Sequence, residues 1–177
     1  MEVFFLKISV RELAYMALYL ALFAVMDYAA NILPFFKMPY GGTLGIGTLA
    51  LLVAAYHLCW KKAVLIALAS ILLQFITGAM YIYHPIQFVL DYGLAFAIYG
   101  FAGIFPKYSG VVVANTVRFI CHVISGVVFF AQFAGEEGPL LYSLAYNGGY
   151  MFPTMILAII VVPIIDKRIK TTQKTSS

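Results

Sequence analysis

Five polar side chains lie inside long apolar stretches of this 177-residue chain, and their types could do chemistry: Asp27, Asp91, Arg118, His122 and Asn147. A charged side chain at the centre of a membrane helix costs roughly 2.5–3.5 kcal/mol on insertion scales. Such residues are therefore expected either to pair with one another or to bind a ligand.

Asp91, His122 and Asn147 belong to different apolar segments but lie at similar predicted depths. They are roughly six to eleven residues from the outer ends of their helices, or ~9–17 Å at 1.5 Å per residue. A carboxylate among aromatic rings suits a flat cation, through Coulomb attraction and cation–π contact. Aromatic residues that could supply these rings lie close in sequence to the three polar residues: Tyr92, Phe129, Phe130, Tyr142 and Tyr146.

These residues predict a ligand pocket that is open to the outer face. A network of interhelical hydrogen bonds without any ligand is the competing explanation. In either case Arg118, one helical turn below His122, is expected to form a structural ion pair with Asp91.

The elements that position these residues follow from composition. The chain is 64% hydrophobic and only 10% charged, whereas an average soluble domain is about 25% charged. We therefore expect an all-α membrane protein, a single integral membrane domain over residues 1–177. A spanning helix needs about 20 apolar residues. The apolar segments therefore predict a six-helix bundle, with helices at about 9–34, 43–59, 62–79, 85–105, 109–133 and 139–165. A polar cytoplasmic tail is expected to follow at 166–177.

The charges of the loops set the predicted orientation. With the N-terminus inside, nine lysines and arginines fall on the inner side, and Lys37 alone falls on the outer side. Because basic loops stay in the cytoplasm, this distribution predicts that both termini are cytoplasmic.

Motifs of common enzymes are absent from the sequence. It contains no G-x-x-x-x-G-K-[ST], H-E-x-x-H or G-x-S-x-G, so neither P-loop ATP hydrolysis nor these hydrolytic chemistries are expected. Cys59 and Cys121 lack metal-ligand spacing and are predicted to be core residues. We expect no enzyme activity, no metal and no cofactor.

Small residues indicate where helices approach closely. Ala17 and Ala21 form a small-xxx-small face on the first helix, which permits close contact with another helix. Gly126 stands beside the polar residues, where it either allows helix packing or leaves room for a ligand.

Four stretches of the chain resemble a known family: "MPYGGTLGIGTLALLVAAY", "HPIQFVLDYGLAFAIYGFAGIF", "RFICHVISGVVFF" and "YSLAYNGGYM". They are similar to the thiamine-specific substrate-binding component of energy-coupling-factor transporters, the ThiT/YuaJ family. The resemblance covers roughly residues 10–165. It implies a six-helix protein of the bacterial plasma membrane that binds thiamine from outside. It also implies a lid formed by the first loop, a shared transmembrane coupling subunit and two ATPases as partners.

The resemblance also assigns roles to individual residues. Some members have Glu at the position of Asp91 and Trp at the position of Phe130, and neither difference suggests another ligand class. Phe36 and Tyr40 are weak matches to the lid, and Ala17 and Ala21 match the face that docks on the coupling subunit. The resemblance implies that seven residues bind thiamine: Asp91, Tyr92, His122, Gly126, Phe130, Tyr142 and Asn147. We add the neighbouring Tyr146 to this predicted site.

Three alternatives stay open at this point. The chain could bind another vitamin, or it could be a membrane scaffold protein whose polar residues only hold helices together. It could also be a membrane enzyme that uses Asp91 and His122 as acid and base.

Overall fold

The computed structural model describes residues 8–38 and 42–175, and this part of the chain is almost entirely helical. Its only strand-like feature is a single β-bridge between Lys37 and Thr43. The helices, in chain order, are α1 Val10–Ile32, α2 Thr48–His57, α3 Trp60–Thr77, α4 Pro85–Ile104, α5 Ser109–Phe129 and α6 Pro139–Thr175.

Five of these six described helices are long and apolar enough to cross a membrane, and the exception is α2. The prediction of an all-α membrane protein is thereby confirmed. The orientation with both termini inside stays a prediction.

The short helix α2 lies in the middle of the bundle. It has ten residues, or about 15 Å at 1.5 Å per residue, so it is too short to span a bilayer alone. The segment from Thr48 to Ala55 is buried throughout, and α1, α3, α4 and α6 pack around it. Because a helix that is apolar on all sides is buried, α2 forms the core instead of facing lipid. The helix predicted at 43–59 is present but shorter, at Thr48–His57.

Local signals fix the ends of α1 and α3 as expected from their residues. Ser9 caps α1 in a reciprocal capping box with Glu12. The side chain of each residue accepts a hydrogen bond from the backbone N–H of the other. The Glu12 carboxylate also pairs with Lys62 of α3, so the two helices are joined at this end. Helix α3 ends at Gly78, whose φ of 71° is a left-handed conformation that glycine adopts without steric cost.

Helix α4 is irregular where the polar residue Asp91 lies. It begins as an α-helix at Pro85–Phe88, changes to a π-helix at Val89–Leu94 and returns to an α-helix at Ala95–Phe101. Such π segments occur frequently at functional sites. Asp91 and Tyr92, which line the same cavity, both lie in this π segment.

The last helix extends further than its sequence predicts. Residues 166–175 continue α6, so this helix is longer than the predicted range of about 139–165, and the assignment of these residues to a polar cytoplasmic tail stays a prediction. The side chain of Asp166 is fully buried. It accepts hydrogen bonds from Tyr108 Oη at 2.9 Å and Lys170 Nζ at 2.6 Å. These two donors allow a carboxylate to remain in the bundle and the helix to continue beyond the apolar segment.

Candidate ligand-binding site

A cavity lies between α4, α5 and α6, at the end of the bundle where the α3–α4 and α5–α6 connections are. We call it the Asp91 cavity; it encloses about 550 Å³ of empty space, part of it open to solvent. All eight residues predicted to bind a ligand line it: Asp91, Tyr92, His122, Gly126, Phe130, Tyr142, Tyr146 and Asn147. The structure brings these residues together, and their binding of a ligand stays a prediction.

The Asp91 carboxylate has one satisfied oxygen and one that is not. Asp91 is 7% exposed, and its Oδ2 accepts hydrogen bonds from Gln87 Nε2 at 2.7 Å and Ser125 Oγ at 2.8 Å. His122 Nδ1 lies 3.0 Å from Oδ1, but Oδ1 accepts no well-directed hydrogen bond from the described residues. A buried carboxylate oxygen without a full complement of donors attracts a cation or a donor group of a ligand.

His122 lies between Asp91 and Arg118 and separates them. Arg118 Nε donates to His122 Nε2 at 3.3 Å, and a guanidinium cannot accept a hydrogen bond. In a neutral ring His122 Nε2 is therefore the acceptor and Nδ1 carries the proton, which faces Asp91. Arg118 thus selects the tautomer of a neutral imidazole, while Nδ1 lies 3.0 Å from Asp91 Oδ1 without a well-directed bond to it.

The predicted ion pair between Arg118 and Asp91 is wrong. No ion pair of Arg118 occurs within the described part of the chain. The guanidinium turns away from the Asp91 cavity, because Tyr99 Oη accepts from its Nη1 at 3.2 Å and its Cζ lies 4.6 Å from the centre of the Phe96 ring. A charged hydrogen bond and a cation–π contact replace the carboxylate as its partners.

Helix α6 supplies an amide whose groups are already oriented. Asn147 Nδ2 donates to Ser143 O at 2.9 Å and to His122 O at 3.3 Å, and Asn147 Oδ1 accepts from Tyr150 Oη at 2.8 Å. Because these partners hold the side chain, Asn147 presents a fixed polar edge to the cavity. Ser143 in turn donates to Val123 O at 2.9 Å, which joins α6 to α5.

Gly126 lies at a close contact between α5 and α6 in the cavity wall. A Cβ placed on Gly126 would lie 2.1 Å from Ser143 Oγ, far closer than two such atoms can approach. Helix packing therefore requires glycine here, and this close approach also forms part of the cavity lining.

Aromatic rings form the rest of the wall. Phe130 packs against Tyr81 and Tyr83, with ring centroids 6.0 and 5.9 Å apart. Tyr142 stacks on Tyr146 at 5.9 Å. The distances are typical of paired aromatic side chains, so the wall presents several ring faces around one carboxylate.

The loop between α1 and α2 contacts the aromatic wall of the cavity. Gly42 N donates to Tyr146 Oη at 3.0 Å. Of the two lid residues predicted from the resemblance, Phe36 lies in a 3₁₀ turn, Pro34–Phe36. Tyr40 lies outside the described residues.

A second, smaller cavity adjoins the first, and we call it the Asp27 cavity. It encloses about 450 Å³ and shares Asp91, Tyr92, His122 and Tyr150 with the Asp91 cavity. Its own polar residues include Asp27, whose Oδ2 accepts from Asn31 Nδ2 at 3.3 Å. Asp27, one of the intramembrane charges noted in the sequence, therefore lies apart from the predicted site.

The sequence interpretation did not identify several residues of the Asp91 cavity. Tyr150 follows Tyr142 and Tyr146 at four-residue intervals, and Gln87 precedes Asp91 by four, so helical spacing could have found both. Ser125 and Ser143 carry no signal that separates them from ordinary small residues at helix contacts. Tyr81 lies in a connection whose path the sequence does not determine. The additional lining residues are Gly42, Tyr81, Gln87, Ser125, Ser143 and Tyr150.

Residues 13–174 match the family model described as "Thiamine transporter protein (Thia_YuaJ)". The chain belongs to the Thia_YuaJ thiamine transporter family. It is 33% identical over 163 residues to the thiamine transporter ThiT of Bacillus subtilis (strain 168), an alignment that covers 78% of this chain and 85% of that protein. It is 26% identical over 143 residues to the ThiT of Lacticaseibacillus paracasei, with 70% of each chain covered.

A solved structure of ThiT from Listeria monocytogenes shares the fold. The TM-score is 0.68 at 25% identity, and the match covers 86% of this chain and 94% of that one. The family resemblance noted in the sequence is confirmed. This member of the family is a multi-pass protein of the bacterial plasma membrane, and its relatives are named as transporters and not as enzymes.

Proposed function

We propose that this chain binds thiamine at the Asp91 cavity, as the substrate-binding subunit of an energy-coupling-factor importer. The observation that carries the proposal is the buried Asp91 carboxylate in a cavity walled by aromatic rings, whose Oδ1 has no well-directed donor among the described residues. Thiamine is a flat cation with a thiazolium ring and an aminopyrimidine ring. It therefore brings both the positive charge and the N–H donor that such an oxygen attracts.

The remaining groups of the cavity suit the other parts of thiamine. Tyr92, Phe130 and His122 offer ring faces to the two heterocycles. Tyr142 and Asn147 offer polar groups to ring nitrogens or to the hydroxyl group.

Uptake in this proposal requires partners that supply energy. The chain has no ATP-binding motif, so a transmembrane coupling subunit and two ATPases would provide it. The small-residue face of α1 supports docking on such a subunit, because Ala17 and Ala21 are both exposed on the surface of the bundle. The first loop would close the cavity, and the hydrogen bond from Gly42 to Tyr146 supports its position beside the site.

The first experiment is calorimetric titration of the detergent-purified protein with thiamine, with riboflavin as the control ligand. Calorimetry is preferable to tryptophan fluorescence because Trp60, the single tryptophan, stacks on Phe101 at the opposite end of α4 from the cavity. We expect one thiamine per chain at submicromolar affinity and no heat with riboflavin.

The opposite result separates the alternatives. Binding of riboflavin alone would make the chain a subunit for another vitamin. Absence of heat and of thermal stabilisation with either ligand would favour the scaffold interpretation, in which the polar residues only join helices.

A further inference from the structure

Gln87 is a deeply buried amide beside the Asp91 carboxylate. It is 2% exposed and lies one helical turn before Asp91 on α4. Burial of an amide is costly unless all of its groups are bonded, and every polar group of Gln87 has a partner here.

The orientation of the Gln87 amide is fixed by its backbone partners. Its Oε1 accepts from Tyr83 N at 3.0 Å, and its Nε2 donates to Tyr81 O at 3.1 Å. A backbone N–H only donates and a backbone carbonyl only accepts, so the opposite orientation would break both bonds. The second proton of Nε2 is therefore directed at Asp91 Oδ2, 2.7 Å away.

In this arrangement the two carboxylate oxygens of Asp91 have different surroundings. Gln87 and Ser125 both donate to Oδ2, whereas Oδ1 faces His122 and has no well-directed donor in the part of the chain that the structure describes. Without the Gln87 donor, the carboxylate is free to rotate and share its oxygens between the remaining donors. The position of the negative charge then no longer matches that of a bound cation.

The same amide also fastens part of the cavity wall. It bonds both Tyr81 and Tyr83, and Tyr81 N donates to Tyr92 Oη at 2.8 Å. The rings of Tyr81 and Tyr83 pack on Phe130. One side chain thus connects the charged group of the site with the aromatic wall beside it.

We propose that Gln87 is a positioning residue that sets selectivity for a cationic ligand, by holding Asp91 Oδ2 and fastening the 81–83 segment at the cavity wall. This inference rests on the proposed function, since it concerns how the same cavity recognises the charge of thiamine. It assigns Gln87 no direct contact with the ligand.

The test compares thiamine with an uncharged analogue that carries a thiophene ring in place of the thiazolium. Gln87→Met keeps the length of the side chain and removes the amide. We expect it to weaken thiamine binding about tenfold or more, since hydrogen bonds to charged groups are strong. Affinity for the analogue should change less than about threefold, because the analogue has no charge for Asp91 to meet. A general loss of packing would weaken both ligands alike.

Two serine variants complete the design. Ser125→Ala removes the other donor to Oδ2 and should also reduce the preference for thiamine over the analogue. Ser70→Ala is the matched control, because Ser70 is equally buried but donates to Ala67 O within α3. It should leave both affinities unchanged.

Hydrogen exchange tests the second part of the proposal, in which Gln87 fastens the 81–83 segment. The backbone amides of Tyr81 and Tyr83 should exchange faster in Gln87→Met and at the wild-type rate in Ser125→Ala. If Gln87→Met does not fold, Gln87→Asn replaces it, because its shorter side chain cannot reach all three partners at once.

The outcomes are distinct. An unchanged ratio of thiamine to analogue affinity in folded Gln87 variants overturns the positioning role while leaving the proposed function intact. Wild-type protein that does not bind thiamine overturns both.

Discussion

Replacement of Asp91 by Asn tests the role of charge in the proposed site most directly. The substitution keeps the size of the side chain, and the Asn oxygen can still accept from Gln87 and Ser125. The amide nitrogen then takes the place of Oδ1, where the carboxylate offered an unsatisfied oxygen. The change therefore removes the negative charge with little change in packing.

The expected loss of affinity follows from the electrostatics of the cavity. Two unit charges about 4 Å apart attract by about 4 kcal/mol at an effective dielectric constant of about 20. Removal of one partner from a buried, hydrogen-bonded charge pair costs roughly 2–5 kcal/mol in measured cases. We expect the Asp91→Asn variant to bind thiamine about 3 kcal/mol more weakly, which is roughly a hundredfold higher Kd.

Titration calorimetry with thiamine and with the uncharged thiophene analogue measures this loss. Asp166→Asn is the matched control, because it makes the same substitution at a fully buried carboxylate. Asp166 lies 19 residues beyond Asn147 on α6, or about 28 Å along the helix. It should lower the melting temperature without changing the Kd for thiamine. If Asp91→Asn binds thiamine as tightly as the wild type, the carboxylate does not recognise the cation and the reasoning fails.

Three further substitutions have separate expectations. Gly126→Ala places a methyl group against Ser143, so we expect about 1–3 kcal/mol lower stability in thermal unfolding; an unchanged melting temperature would show that α5 and α6 can separate at no cost. Tyr150→Phe removes the donor to Asn147 Oδ1, and titration should show a several-fold change in thiamine Kd, about 0.5–1.5 kcal/mol; equal affinity would mean that the Asn147 amide needs no such support. Tyr108→Phe removes one of the two donors to buried Asp166 and should cost about 1–3 kcal/mol of stability with no effect on thiamine binding, whereas weaker binding would reveal a connection between the two ends of the bundle.

The predicted site could be read from the sequence because the bilayer makes polar residues conspicuous. Asp91, His122 and Asn147 stand out in apolar helices, and a similar depth from the same end was sufficient to predict that they meet. Spacing along a helix gives depth well because the rise per residue is constant.

Direction around the helix axis was harder to predict. Arg118 lies one helical turn from His122, which predicts a pair with Asp91, but His122 occupies the space between them and the guanidinium turns to Tyr99 and Phe96. The π segment in α4 contributes to the same difficulty, since it changes the face on which successive residues lie. Gln87 was missed because its role depends on the path of residues 81–83, which only the folded chain defines.

The structure shows α2 at Thr48–His57, shorter than the predicted 43–59, for a different reason. Hydrophobicity alone does not distinguish a segment that faces lipid from one that faces protein, and residues 43–59 are apolar in either case. In the structure the regular helix begins at Thr48, after residues that form turns around Gly45 and Gly47.

The central position of α2 has a consequence for how the protein is made. A ten-residue apolar helix is too short to be retained in a bilayer by itself, and its buried surface is matched to neighbours that are synthesised later, such as α4 and α6. During synthesis, the path of the chain between α1 and α3 is therefore not settled by insertion of α2 alone. It becomes fixed when the later helices pack around α2, so the position of this segment depends on the folding of the whole bundle.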